Sequence, residues 1–155
     1  MKKIISLLSV ILMIAVLCPN TALANDEIVT DSYIEYFDDG SYIVTRITES
    51  TITTFAAKTV SKSKSADYYE SDNTKAWTVT LNATFSYTGS SATCTSAKTS
   101  YTIYNDKWKV TSAAPSKSGN KATGAFTVKK YTLGLPIKTV NKTLTIPCSN
   151  TGVCS

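Results

Sequence analysis

From Ala76 to Tyr87 apolar and polar side chains alternate almost without a break. Trp77, Val79, Leu81, Ala83, Phe85 and Tyr87 share one parity, and Thr78, Thr80, Asn82, Thr84 and Ser86 the other. A period of two places successive side chains on opposite faces of a strand, whereas a helix would scatter the same apolar groups around its axis. The stretch is predicted to be a central β-strand with one buried and one solvated face.

Shorter segments repeat the pattern on both sides. Ile28–Phe37 and Ser41–Ile47 flank Asp38-Asp39-Gly40, an apolar–turn–apolar signal for a hairpin. Strand character continues over Ser50–Phe55. Lys58–Tyr69 alternates but is poor in apolar residues, which suits an edge strand whose lysines discourage pairing with another chain. Asp72-Asn73, Thr88–Ser91 and Asn105-Asp106 are expected turns. Within Ala92–Tyr104 the apolar parity changes, so a β-bulge is expected near Ser96–Lys98. A strand beginning at Trp108 should stop at Pro115, and Ala122–Tyr131 forms the next. Leu133-Gly134-Leu135-Pro136 reads as a stiff connection into a last strand, Lys138–Cys148. Seven or eight strands with short turns predict an all-β fold, a two-sheet antiparallel β-sandwich of which the immunoglobulin-like arrangement is one form. A small β-barrel is the alternative.

The first residues change the picture of where this domain works. Lys2-Lys3, the apolar run Ile4–Leu17 and the small residues of Ala22-Leu23-Ala24 have the order of an export signal. Cleavage after Ala24 leaves 25–155 as a single all-β domain, secreted to the extracellular space or kept at the cell surface, with no stable membrane span. Cys18 lacks the small preceding residue of a lipidation site, since Leu17 stands there.

Charge is divided along the chain. Asn25–Asn73 holds ten acidic and four basic residues, a balance of −6, whereas Thr74–Ser155 holds ten lysines and Asp106, a balance of +9. The two halves either pair within the fold, or the second forms a basic face attracted to an anionic cell-wall polymer, glycan or surface protein. Nucleic acid is not expected as a partner, because the lysines are scattered and Arg46 is the one arginine.

Histidine is absent from the sequence. That removes the usual neutral-pH base and the commonest zinc ligand. Carboxylates are the remaining acid–base candidates, and Glu35 with Glu49, on neighbouring strands of the first hairpin, is the pair a glycan-acting hydrolase would need. Two acids on a hairpin more often sit on a solvated face, and Asp38-Asp39 alone offers too few oxygens for calcium. No catalytic residue, metal site or cofactor is expected.

Cys94, Cys148 and Cys154 follow the export signal and allow one intramolecular disulfide. Cys94 with Cys148, both in predicted strands, is the first choice, and closing that loop could contribute about 4 kcal/mol. Cys148 with Cys154 is the rival, and the leftover thiol could link two chains into a dimer.

Nine tyrosines offer an apolar face beside a polar tip, a combination suited to binding as well as to cross-strand packing. Tyr68, Tyr69, Tyr101 and Tyr104 are the expected exposed clusters, joined by Lys129, Lys130, Lys138 and Lys142 on the basic half; Trp77 and Trp108 are expected in the core. Lys58–Tyr69 also alternates as some membrane-inserting hairpins do, although lysine and tyrosine give it little surface for lipid.

Three stretches, Ser90–Ser96, Tyr101–Asn105 with Trp108, and Ser116–Gly124, resemble a group of uncharacterised small secreted all-β proteins of Gram-positive gut anaerobes, over roughly Thr74–Cys148. The resemblance implies an exported domain and carries no activity. The expectation is a non-catalytic binding or adhesion module of unknown ligand. A glycan-acting hydrolase using a carboxylate pair and a membrane-active, pore-forming β-protein are the alternatives.

Overall fold

The computed structural model describes residues 28–50 and 58–155; the expected export signal, residues 1–24, lies outside them. Eight strands run through the described residues: β1 (Ile28–Tyr36), β2 (Tyr42–Ser50), β3 (Thr59–Tyr69), β4 (Lys75–Tyr87), β5 (Ala92–Ile103), β6 (Trp108–Ser118), β7 (Lys121–Thr132) and β8 (Leu135–Pro147). They form two antiparallel sheets, one of order β1-β2-β3-β4-β5 and one of order β6-β7-β8. The fold is the expected all-β sandwich and is not closed into a barrel.

Strand order within each sheet is sequential, so the immunoglobulin arrangement is corrected. That fold moves strands between sheets by Greek-key connections, whereas here both sheets are meanders joined by the single passage from β5 to β6. The described turns within the sheets are two to five residues long and set each strand antiparallel beside its predecessor, whereas the equally short Tyr104–Lys107 turn carries the chain across to the second sheet.

The alternating segment is β4, lying between β3 and β5, with Trp77, Val79, Leu81 and Phe85 all fully buried. Their neighbours across the sandwich are Phe126, Val128, Leu144 and Ile146 of the smaller sheet. Tyr68 stacks on Trp77 with ring centroids 5.0 Å apart, and Trp108 tilts against Tyr68 at 4.9 Å. These three rings tie β3, β4 and β6 into one core, with Trp77 and Trp108 buried as expected.

Three element assignments differ from the sequence reading. Lys58–Tyr69 contains β3, an internal strand and not an edge. Its alternate positions face the core, but Lys64 reaches across to donate a hydrogen bond to the Thr145 carbonyl at 3.1 Å. A long lysine stem can line apolar surface while its charged head finds a polar partner. Pro115 lies inside β6, and Pro136 inside β8. Both strands are edges of their sheet, where a missing N–H costs no ladder bond. The turn into β8 contracts to Leu133-Gly134, since Thr132 already pairs with Leu135.

The parity change in β5 is a bulge at Thr95. Phe85 pairs with Cys94 while Thr84 pairs with Ser96, which is next to the expected place. One extra residue exchanges the faces, so Cys94 and Ala97 both face the core. Residues 51–57, including most of the expected strand continuation Ser50–Phe55, lie outside the described residues.

The cysteine pairing is Cys148–Cys154, not Cys94–Cys148. After Pro147 the chain turns back and places Cys154 opposite Cys148 in an antiparallel bridge. Gly152, at φ 87°, lies flat against the Tyr87 ring, where a Cβ would come within 2.5 Å of the ring carbons. The Gly89 amide donates to the Asn150 carbonyl at 2.9 Å, completing the docking of the C-terminal loop. Among the described cysteines Cys94 is the free thiol and is buried, so a bond from it to a second chain would require opening the core.

Candidate binding surface

Four carboxylates, Asp67, Glu70, Asp39 and Glu35, are paired with cations. Asp67, on the outer face of β3, accepts hydrogen bonds from Thr78 Oγ1 at 2.6 Å and Lys75 Nζ at 2.8 Å, and also from Arg46. Burial pushes its carboxyl up, but the bonds from Lys75 and Thr78 and the nearby positive charges outweigh this and hold it below the ordinary aspartate value. Glu70 accepts from Trp108 Nε1 at 2.8 Å and pairs with Lys130 at 3.0 Å. Burial raises it, and those bonds bring it below the usual range as well. Asp39, bonded by Lys138 and Ser41, is also lowered, and Glu35 pairs with Lys142.

These pairs answer the question the divided charge raised. Lys130, Lys138 and Lys142 all turn toward acids from the first half of the chain. Lys142 is buried, and Lys138 Nζ also donates to Tyr68 Oη at 2.8 Å and Ser41 Oγ at 3.0 Å. Of the four lysines expected on a basic face, Lys129 alone has no ion-pair partner among the described residues. Pairing within the fold, one of the two readings of the divided charge, thus holds for Lys130, Lys138 and Lys142. The sequence could not settle this, because sequential alternation says which parity a lysine occupies but not which acid faces it.

The carboxylate pair considered for hydrolysis is not brought together. Glu35 pairs with Ile43 and Glu49 with Ile28, so the two positions stand seven residues apart along β1. At the rise of a strand this is about 23 Å, whereas glycosidase carboxyls stand at most about 9.5 Å apart. A shallow depression of about 280 Å³ lies on the larger sheet over Ser61, Ser63, Asn82, Thr84, Ser96 and Lys98. No carboxylate lines it, and among the described residues no group of acids and cysteines could hold a metal ion.

The tyrosines divide by strand parity. Tyr68 is corrected to a core residue, only 1% exposed, because its parity on β3 is that of Val60 and Ala66. Tyr69 takes the other parity and is half-buried, while Tyr101 and Tyr104 are exposed, as expected. Two further tyrosines join Tyr69 that the sequence did not single out. Tyr36 of β1, 75% exposed, approaches Tyr42 of β2 at 5.7 Å, and Tyr42 stacks on Tyr69 of β3 at 4.9 Å. Register places these three side by side across adjacent strands: Tyr36 pairs with Tyr42, and Tyr42 with Tyr69. Lys75 then lies 5.0 Å above the Tyr104 ring and links this row to the start of the β5–β6 turn. The signal was present in the sequence as the symmetric placement of Tyr36 and Tyr42 about the Asp38-Asp39-Gly40 turn.

The result is one row of rings, Tyr36, Tyr42 and Tyr69, with Tyr104 beyond, beside a buried Asp67 that is paired with the half-exposed Arg46 and Lys75 at one end of the larger sheet. Tyr42 Oη donates to Asn73 Oδ1 at 3.2 Å, which anchors the row to the β3–β4 turn. In class the protein is an all-β sandwich of two meandering sheets carrying an aromatic surface of this kind. Comparison with protein-family models, curated proteins and solved structures finds no match for this chain.

Proposed function

We propose that the protein is exported and acts outside the membrane as a non-catalytic binding or adhesion module, with a cell-wall glycan as its ligand. The observation that carries this reading is the tyrosine row Tyr36–Tyr42–Tyr69 with Tyr104. Tyr36, Tyr42 and Tyr69 pack ring against ring and Lys75 lies over Tyr104, so these amphipathic side chains have less freedom to lose when a ligand settles on them. Their hydroxyls suit a polyhydroxylated partner. Asp39, Asp67 and Glu70 support the same reading, since acids held ionised by lysine and arginine are the opposite of a general acid kept protonated near neutral pH.

A cell-wall pull-down over a range of salt tests the proposal. With Lys130, Lys138 and Lys142 already paired, retention of the purified protein should change little between low and high salt. Replacing Tyr36 and Tyr104 together with serine should weaken retention about tenfold or more. Retention that vanishes with salt, or that ignores the tyrosine substitutions, refutes the tyrosine surface.

A further inference from the structure

The β7–β8 hairpin ends in five consecutive residues without a polar side chain, Leu133-Gly134-Leu135-Pro136-Ile137. Leu133 is 98% exposed, Leu135 69% and Ile137 60%. Soluble domains scatter single apolar residues over their surface, but three on one protruding tip are a feature that calls for a function.

The backbone points the same way. Leu133 has φ 51° and Gly134 φ 80°, the paired left-handed conformation of a two-residue hairpin turn. Asparagine or glycine fills the first of these positions without strain, and a bulky side chain there is an outlier. Leucine is thus held in an unfavourable conformation, in full contact with water, at a position where a polar residue would fold better.

Charge narrows the occupant. Lys107, Lys109 and Lys129 sit on the strand and turn residues behind the tip, and none has a carboxylate partner among the described residues. Tyr131 lies between them and the tip, with Lys109 Nζ 5.5 Å above its ring. An apolar tip, then an amphipathic aromatic, then cations is the order in which hydrocarbon, interface and anionic headgroups follow one another in a leaflet. We propose that this hairpin inserts into the interface of an anionic membrane. Leu133, Leu135 and Ile137 enter the acyl boundary, and Lys107, Lys109 and Lys129 meet the headgroups. The apolar segment is too short for a spanning strand, which needs about 9–11 residues, so the tip anchors and does not form a pore.

Co-sedimentation with phosphatidylcholine vesicles, with and without phosphatidylglycerol, tests this independently of the glycan reading, because no wall polymer is present. The protein should bind vesicles containing phosphatidylglycerol and release them as salt is raised. Leu133→Asn should weaken binding about tenfold or more, while its melting temperature stays level or rises, because asparagine suits the turn. Lys129→Glu should weaken binding as well. Absence of binding to the anionic vesicles, equal binding to neutral ones, or an unchanged Leu133→Asn variant overturns the proposal. Loss of cell-wall retention by Leu133→Asn, with no vesicle binding by the parent protein, would overturn it too and assign the tip to a wall-borne partner. The Tyr36 and Tyr104 substitutions should leave vesicle binding unchanged.

Discussion

Asp67 is the residue on which the tyrosine surface rests. Its side chain is 5% exposed, while those of Arg46 and Lys75 are 37% and 33% exposed. Because its carboxyl titrates lower in the fold than in the unfolded chain, the unfolded chain takes up the proton first as pH falls. The stability it contributes is therefore fully present above about pH 4 and is lost as pH drops through the folded-state value. Asp67→Asn should unfold more easily at neutral pH, by about 2 kcal/mol once the solvent exposure of both cations is discounted. Its urea midpoint should also depend less on pH than that of the parent protein below about pH 5. A variant whose acid limb follows the parent's would remove Asp67 as the source of the pH dependence.

Among the elements, the C-terminal loop has a single clear set of supports. The Cys148–Cys154 bridge closes a span of six residues, Gly152 rests on Tyr87, and Asn150 receives the Gly89 amide. Closing so short a loop contributes about 2 kcal/mol on the chain-entropy estimate, roughly half of what the longer Cys94–Cys148 loop was expected to give. Cys154→Ser should lower stability by about that amount, and the Gly89 amide should then exchange with solvent much faster than the amides of β4. Slow exchange at Gly89 in that variant would mean that the Gly152–Tyr87 contact holds the loop without the bridge. The elements also differ in how far they could be read in advance. β4 was legible because its buried face is uniformly apolar, and so was the bulge in β5, because a parity change leaves a trace in sequence. β3 reads as an edge in sequence, because its inward lysines, Lys62 and Lys64, look like charges that keep another chain from pairing until the opposing sheet is seen. The strands containing Pro115 and Pro136 were drawn too short for a related reason. A proline breaks an internal ladder but not an outer edge, and edge status depends on strands elsewhere in the chain.

At the scale of the whole molecule, the two sheets meet through a ring core and through ion pairs that join the acidic first part of the chain to the basic second. β6 lies along β5, β7 crosses β4 and β5, and β8 reaches β3. The described residues of β1, from Asp31 to Tyr36, are exposed. Lys142 bridges from β8 to Glu35 on that outer strand, with the lysine 7% exposed and the glutamate 48% exposed. The pair predicts an asymmetry. Glu35→Gln leaves a buried ammonium without its counter-ion and should cost about 1 kcal/mol, less than for a fully buried pair because the glutamate faces solvent. Lys142→Met replaces the buried charge with apolar volume and should be neutral or stabilising. Equilibrium unfolding in urea measures both, and a Lys142→Met variant weaker than Glu35→Gln would show that the pair itself is a net source of stability.

The sequence by itself determined the class of fold, the positions of most turns and the apolar faces of β4, β7 and β8, because period-two patterning and turn chemistry are local properties of the chain. It also placed Trp77 and Trp108 in the core, since large rings on an otherwise apolar parity have nowhere else to go. Only the tertiary structure decided which cysteines pair, which lysines are free, that Tyr68 is buried while Tyr36 and Tyr42 join Tyr69 in one row, and that the sheets are meanders. Each of those depends on which residue of a distant strand stands opposite. Strand alternation fixes the side of the sheet a residue faces and leaves its partner across the sandwich open.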